Sequence, residues 1–141
     1  MGMWVINNVC DELGISPAQI ADLASTSSYN YTVNVNHEDF LAPKSMVATI
    51  KLHLEKENAP KTNCDADIAR SALCSLAKSY AESVKFMEKI IGRTFDSIII
   101  VGGGAKNKLL NKLTEEYSNK TVIAKPIEAT AIGNLKIQMA N

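Results

Sequence analysis

The chain has 141 residues, of which 46% are hydrophobic and 21% charged, and its 15 basic and 15 acidic residues cancel. This length suits a single domain with a buried core. The balanced charge leaves no basic footprint for nucleic acid, and no apolar run is long enough to span a bilayer. Neither nucleic acid nor a membrane is therefore an expected partner.

The three cysteines, Cys10, Cys64 and Cys74, are odd in number and lack the spacing of a metal site. We expect reduced, mostly buried thiols. The N-terminus carries no signal-peptide pattern, which together with the thiols favours a cytoplasmic protein.

The first two thirds of the chain predict helices joined by polar loops. From their apolar spacing and boundary residues, these helices span residues 4–13, 16–24, 43–57 and 65–91. Gly14 and Gly92 are expected to end the first and the fourth helix. Ser16 followed by Pro17 is typical of a helix start, and Pro43 opens the third helix.

The last third alternates between strand and helix patterns. The predicted order is a strand over 98–101, a helix over 106–118, a strand over 121–124 and a helix from Pro126 to about Gln138. This order indicates an α/β fold with a parallel strand pair and a right-handed crossover. Two strands alone make a poor sheet, so the first strand is expected to need partners that this sequence does not supply, and a homodimer is expected.

Three glycines, Gly102, Gly103 and Gly104, separate the first strand from the helix that follows it. Residues without a Cβ let a flat base or a phosphate approach bare backbone, and the helix start behind them offers free N–H groups. A tight turn without any ligand is the alternative. Asn107 also has two interpretations, since its amide can hydrogen-bond a base edge or cap the helix.

His37, Glu38 and Asp39 are adjacent, so in an extended segment their side chains alternate and do not converge on one ion. We interpret them as a solvated loop. His53 stands alone in a predicted helix and is interpreted as a packing or surface residue. No catalytic residue and no metal ligand are predicted from these patterns.

Several segments resemble, in order, the motifs of the FGGY carbohydrate-kinase family. Residues 2–7 resemble its Gly-Leu-Trp-x-x-Gln, residues 36–43 its Asn-Asp-x-x-Phe-x-x-Pro loop, and residues 65–76 its Ala-Arg-x-x-x-x-Ser-Leu helix. Residues 98–113 and 122–134 are similar to the C-terminal part of the rhamnulokinase group within this family.

The resemblance implies that residues 1–141 form the C-terminal portion of a kinase domain of the actin/hexokinase (ribonuclease H-like) type, helix-rich with a short parallel strand pair. The implied parent reaction transfers a phosphoryl group from Mg-ATP to the terminal hydroxyl of a ketose, L-rhamnulose or L-fuculose. The catalytic Asp, the Mg²⁺ ligands and the sugar-binding domain are implied to lie outside this chain. The chain alone is therefore expected to be inactive.

The resemblance also implies ATP-contacting positions. Gly103 matches the family's nucleotide-contacting glycine, and Gly102, Gly104 and Asn107 flank it. Asn7 stands where the family has a Gln that touches the nucleotide, and its side chain is one methylene shorter. A second hypothesis, favoured by the lack of a complete catalytic set, is a non-catalytic helical binding or regulatory module.

Overall fold

The computed structural model describes residues 3–125 and 135–139. Its α-helices are α1 (Trp4–Leu13), α2 (Ile20–Ser25), α3 (Met46–Lys56), α4 (Asp65–Ile91) and α5 (Lys108–Ser118). Short 3-10 helices span Glu38–Phe40 and Gly103–Lys106, and the strands are β1 (Phe95–Val101), β2 (Thr121–Lys125) and β3 (Leu135–Met139). No helix in the described ranges is both long and apolar enough to cross a membrane.

The glycine stops predicted for α1 and α4 are confirmed. Gly14 and Gly92 adopt left-handed φ angles of 69° and 75°, and the backbone N–H of Gly92 donates to the carbonyl of Glu88. Glycine takes this conformation without the steric cost that a Cβ brings.

The predicted starts of α2 and α3 are wrong by about one turn. Residues after Ser16 form a turn in which the Ser16 N–H donates to the Gln19 side chain, so α2 begins only at Ile20. α3 begins at Met46 rather than near Pro43, because Ser45 caps it by accepting from the Ala48 N–H at 3.0 Å. Glu12 of α1 also accepts from the first N–H groups of α3, so this helix start is fixed by a tertiary contact.

The sheet has β1 in its centre, with β2 parallel on one side and β3 antiparallel on the other. The α/β class and the parallel strand pair are confirmed. Two predictions are wrong: residues 135–139 are a strand rather than the end of a helix, and β1 has neighbours on both sides within this chain. The first part of the predicted last helix, residues 126–134, lies outside the described residues.

α4 joins two hydrophobic clusters. In the larger cluster, the buried face of α4 packs against α1, α2, α3 and α5. Small residues on α4, such as Ala69, Ala72 and Ala77, let these helices approach closely. The smaller one joins Val84 of α4 to buried residues of β1 and to Ala105. α4 therefore holds the end of β1 in a fixed relation to the helices.

A partly buried ion pair lies at the start of β1, beside Phe95. The Lys120 ammonium lies 2.5 Å from the Glu88 carboxylate and also donates to the Phe95 carbonyl at 2.7 Å. The same carboxylate accepts from the Phe95 N–H at 2.8 Å. The Lys120 ammonium, and after it the Phe95 N–H, lower the pKa of Glu88 below its ordinary value.

This lowered pKa predicts an acid-sensitive contribution to stability. A carboxyl group whose pKa is depressed by folding stabilises fully above its unfolded pKa, near 4.5, and loses that contribution as pH falls through the folded value. We expect Glu88→Gln to lower the free energy of unfolding at pH 7 by about 1 kcal/mol, with a smaller loss at pH 3. Urea unfolding at both pH values measures this, with Glu82→Gln on the exposed part of α4 as the control. An equal loss at both pH values would contradict the assignment.

Candidate functional site

The glycine turn stands where β1 meets α5. Gly102 has φ 83° and ψ −152°, a conformation that residues with a Cβ rarely adopt. Its carbonyl accepts from the Ala105 N–H at 3.1 Å, and this closes the 3-10 helix that starts at Gly103. The chain therefore reverses from strand to helix within a few residues, as the glycines predicted.

Asn107 is buried, with 7% of its surface exposed, at the start of α5. Its side-chain oxygen accepts from the Leu110 N–H at 2.9 Å, which confirms the capping interpretation. The cap uses only the oxygen. The Nδ2 donor of Asn107 is buried and has no hydrogen-bond partner among the described residues. A buried donor left unpaired costs about 1–3 kcal/mol, a cost that a bound acceptor removes.

A cavity of about 380 Å³ opens beside this turn. Its walls come from the start of α1, from α2 and the turn before it, and from the end of the 3-10 helix Gly103–Lys106. The lining residues are Met3, Pro17, Ala18, Ala21, Lys106 and Asn107. The walls are mainly apolar, and the polar groups sit on one side. Pockets of about 300–1,000 Å³ with this mixture are typical of small-molecule sites.

Only some of the predicted site residues line or adjoin this cavity. Asn107 lines it, and Gly104 packs behind Met3, whose Cγ and Sδ would lie 3.7 Å from a Cβ added at Gly104. Gly102 and Gly103 form the turn itself. Asn7 is exposed on α1, one turn after Met3, and does not line the cavity.

The sequence did not indicate that α2 and its preceding turn contribute to this site. Pro17, Ala18 and Ala21 come from a segment some 80 residues before the glycines, so only the tertiary fold brings them together. The one sequence feature that could have indicated this contribution is the small size of Ala18 and Ala21, which leaves space beside the start of α2.

His53 is a buried residue that packs on Phe40, as one of its two interpretations predicted, but it does not stand alone. Its Nε2 lies 2.8 Å from the Asp39 Oδ2, and the ring of His37 stacks edge-on at a centroid distance of 4.8 Å. The segment is not extended but turns into a 3-10 helix that folds onto α3, with Phe40 fully buried beneath it. The hydrogen bond from His53 lowers the pKa of Asp39.

The cysteines behave largely as predicted. Cys10 and Cys74 are buried free thiols, whereas Cys64 is exposed. Burial raises the pKa of both buried thiols. None of the three lines the cavity beside the glycine turn.

Comparison with known proteins gives one family over the entire chain. Residues 1–141 match the model for the FGGY family of carbohydrate kinases, C-terminal domain. The rhamnulokinase of Halalkalibacterium halodurans is 38% identical over 140 residues, and that of Oceanobacillus iheyensis 37% identical over 143 residues. The rhamnulokinase of an Enterobacter species is 35% identical over 141 residues. These alignments cover 98–99% of this chain but only 29–30% of each relative.

Proposed function

This chain belongs to the FGGY family of carbohydrate kinases, whose C-terminal domain it matches over its whole length, and we propose that it supplies the adenosine side of an ATP site. The observation that carries this proposal is the cavity beside the glycine turn, which is lined by Asn107, a residue whose buried Nδ2 has no hydrogen-bond partner among the described residues. The site residues of the proposal are Gly102, Gly103, Gly104, Asn107 and, more peripherally, Asn7.

The cavity walls suit a purine. Methionine, proline and alanine side chains offer flat apolar contact, and a planar base gains by leaving water for such a surface. An adenine ring nitrogen is a hydrogen-bond acceptor, and the part of the chain that the structure describes offers no acceptor to the Asn107 Nδ2. We propose that the amide turns towards the cavity when the base binds and pairs with it, since a few polar groups fix the orientation of a ligand in a mostly apolar pocket.

The phosphates of ATP are proposed to run along the glycine turn. The absence of a Cβ at Gly102, Gly103 and Gly104 lets a phosphate approach the backbone closely. Lys106, exposed at the edge of the cavity, brings a positive charge to the same place. The Mg²⁺ that accompanies ATP is expected to be held by residues outside this chain.

The family and its relatives support a proposal for the parent reaction. We propose phosphoryl transfer from Mg-ATP to the terminal hydroxyl of a ketose, with L-rhamnulose as the substrate because the matched relatives are rhamnulokinases, and L-fuculose as the alternative. Such catalysis depends on positioning and charge stabilisation, to which a fixed adenosine pocket contributes. This chain spans about 30% of those relatives, and we propose that the sugar contacts and the catalytic base lie outside it.

A calorimetric titration of the 141-residue chain tests this assignment. We expect weak binding of both ATP and adenosine, with ATP tighter, and no binding of inorganic phosphate alone. Competition between ATP and adenosine is expected, because both enter the same cavity. Absence of heat with ATP and adenosine at millimolar concentration would contradict the proposed function and favour a non-catalytic binding module.

A homodimer is also expected. Because β1 has neighbours on both sides, the proposed interface is a surface on α4 rather than an edge of that strand. Phe86 and Ile90 are 65% and 68% exposed on the last turns of α4, next to the exposed Ile91. Exposed apolar side chains grouped on one helix are common at interfaces, and a two-fold dimer covers them. We expect a dimer by sedimentation at high micromolar concentration, and Phe86→Glu is expected to shift it towards monomer. Leu52→Glu, at an exposed leucine of α3, is the control, and a monomeric parent chain would contradict the expectation.

A further inference from the structure

The two histidines of this chain meet at Asp39, on elements other than those that line the cavity. His37 and Asp39 lie at the start of the first 3-10 helix, and His53 lies on α3. The His37 Nδ1 is 3.4 Å from the Asp39 Oδ2, and the His53 Nε2 is 2.8 Å from that same oxygen. All three potential ligand atoms lie within 4.8 Å of one another.

We propose that His37, Asp39 and His53 form a binding site for a divalent transition-metal ion of the Zn²⁺ type. Zn–N and Zn–O bonds of about 2.0–2.2 Å in a tetrahedral arrangement separate the ligand atoms by roughly 3.3–3.5 Å. The observed 3.4 Å fits this spacing, and the 2.8 Å contact opens slightly as the ion takes the place of the hydrogen shared by His53 and Asp39. A neutral His53 ring exchanges its Nε2 proton for one on Nδ1 through solvent, so that the metal-bound ring stays neutral, and the fourth position is left to water.

The donor set favours Zn²⁺ and its neighbours over Mg²⁺ or Ca²⁺. Two imidazole nitrogens and one carboxylate suit borderline ions, whereas the hard ions prefer oxygen ligands only. The His37 Nδ1 accepts from the Asp39 N–H at 3.1 Å, so its lone pair already points towards the Asp39 segment. A metal ion on Nδ1 takes the place of this hydrogen bond, and the Asp39 N–H is then left to solvent. Lys56 also acts electrostatically on Asp39 and reduces the attraction for a cation.

The site is both anchored and accessible. His53 is buried, and its ring packs on the fully buried Phe40 at a centroid distance of 4.9 Å, so its position is fixed before any ion binds. The side chains of His37 and Asp39 are 43% and 41% exposed, so an ion can enter from solvent. Ligands that are already in place lose less entropy on binding. A bound ion would tie the 36–39 segment to α3.

The experiment is a titration of the 141-residue chain with Zn²⁺, followed by NMR of the imidazole signals. The chain has only two histidines, and the signal that disappears in His37→Gln assigns both. We expect them to shift together and to saturate at one ion per chain. The titration is done in a Cys64→Ser background, because this exposed thiol is a competing ligand.

Variants separate this site from adventitious binding. His37→Gln and Asp39→Asn are expected to weaken Zn²⁺ binding at least tenfold, whereas Glu38→Gln, an exposed neighbour outside the cluster, leaves it unchanged. Co²⁺ is expected to show no thiolate charge-transfer band. The proposal is overturned if only one imidazole shifts, if neither shifts, or if His37→Gln binds as the parent does. His53 is left intact, since its burial makes loss of folding an alternative reason for any effect.

Discussion

The purified 141-residue chain is expected to transfer no phosphoryl group from ATP to L-rhamnulose or L-fuculose. The chain spans about 30% of the length of related rhamnulokinases, and the proposed adenosine pocket by itself would not position a sugar against the γ-phosphate. Positioning of reactants accounts for about 7–11 kcal/mol of a reaction barrier, which corresponds to a loss of many powers of ten in rate. A coupled assay for sugar-dependent ADP release measures this.

The rhamnulokinase of Halalkalibacterium halodurans, assayed in parallel, is the positive control. ADP release by the chain with sugar is expected to equal the release without sugar. A sugar-dependent rate that rises in proportion to the chain concentration would contradict the prediction. It would also mean that a catalytic base lies within these 141 residues.

Filling the cavity beside the glycine turn is expected to abolish ATP binding. Ala21→Phe places a ring where the base is proposed to lie, and Ala21 is only partly buried, so the fold has room to accept the change. We expect at least a tenfold loss of affinity, or about 1.4 kcal/mol, in the calorimetric titration. Gly103→Val is expected to have a similar effect, because a branched side chain shields the backbone that the phosphates approach.

Ala48→Phe is the matched control for this prediction. Ala48 is exposed on α3 and does not line the cavity, so the same substitution there should leave ATP binding unchanged. Thermal unfolding of all three variants checks that they remain folded. If Ala21→Phe and Gly103→Val stay folded and bind ATP as the parent does, the nucleotide site is misplaced.

Local patterns predicted the elements whose boundaries are set by local chemistry. The glycine stops after α1 and α4, the strand–turn–helix around Gly102 and the Asn107 cap were all readable because each depends on a few neighbouring residues. The FGGY match likewise confirms the actin/hexokinase-type α/β class that the motifs implied. The start of α3 was predicted at Pro43, whereas Ser45 caps the helix locally and Glu12 fixes its start from another helix, a contact that no local pattern specifies.

Two further features needed the tertiary structure. Residues 135–139 alternate apolar and polar side chains, which is the period of a strand. A helix beginning at Pro126 was nevertheless predicted to continue through them. Antiparallel pairing with β1, a contact distant in the sequence, makes these residues a strand rather than a helix. The meeting of His53 with Asp39 likewise depends on a chain reversal over 14 residues, which no local spacing specifies.

The central claim is that the cavity beside the glycine turn holds the adenosine of ATP. The most direct measurement is an NMR titration of the ¹⁵N-labelled chain with ATP, observing the side-chain amide of Asn107 and the backbone amides of residues 102–107. Because the Asn107 Nδ2 has no partner among the described residues, pairing with the base is expected to shift its signals strongly, together with those of Met3 and Ala21. Shifts confined to other parts of the chain, with these signals unmoved, would contradict the claim.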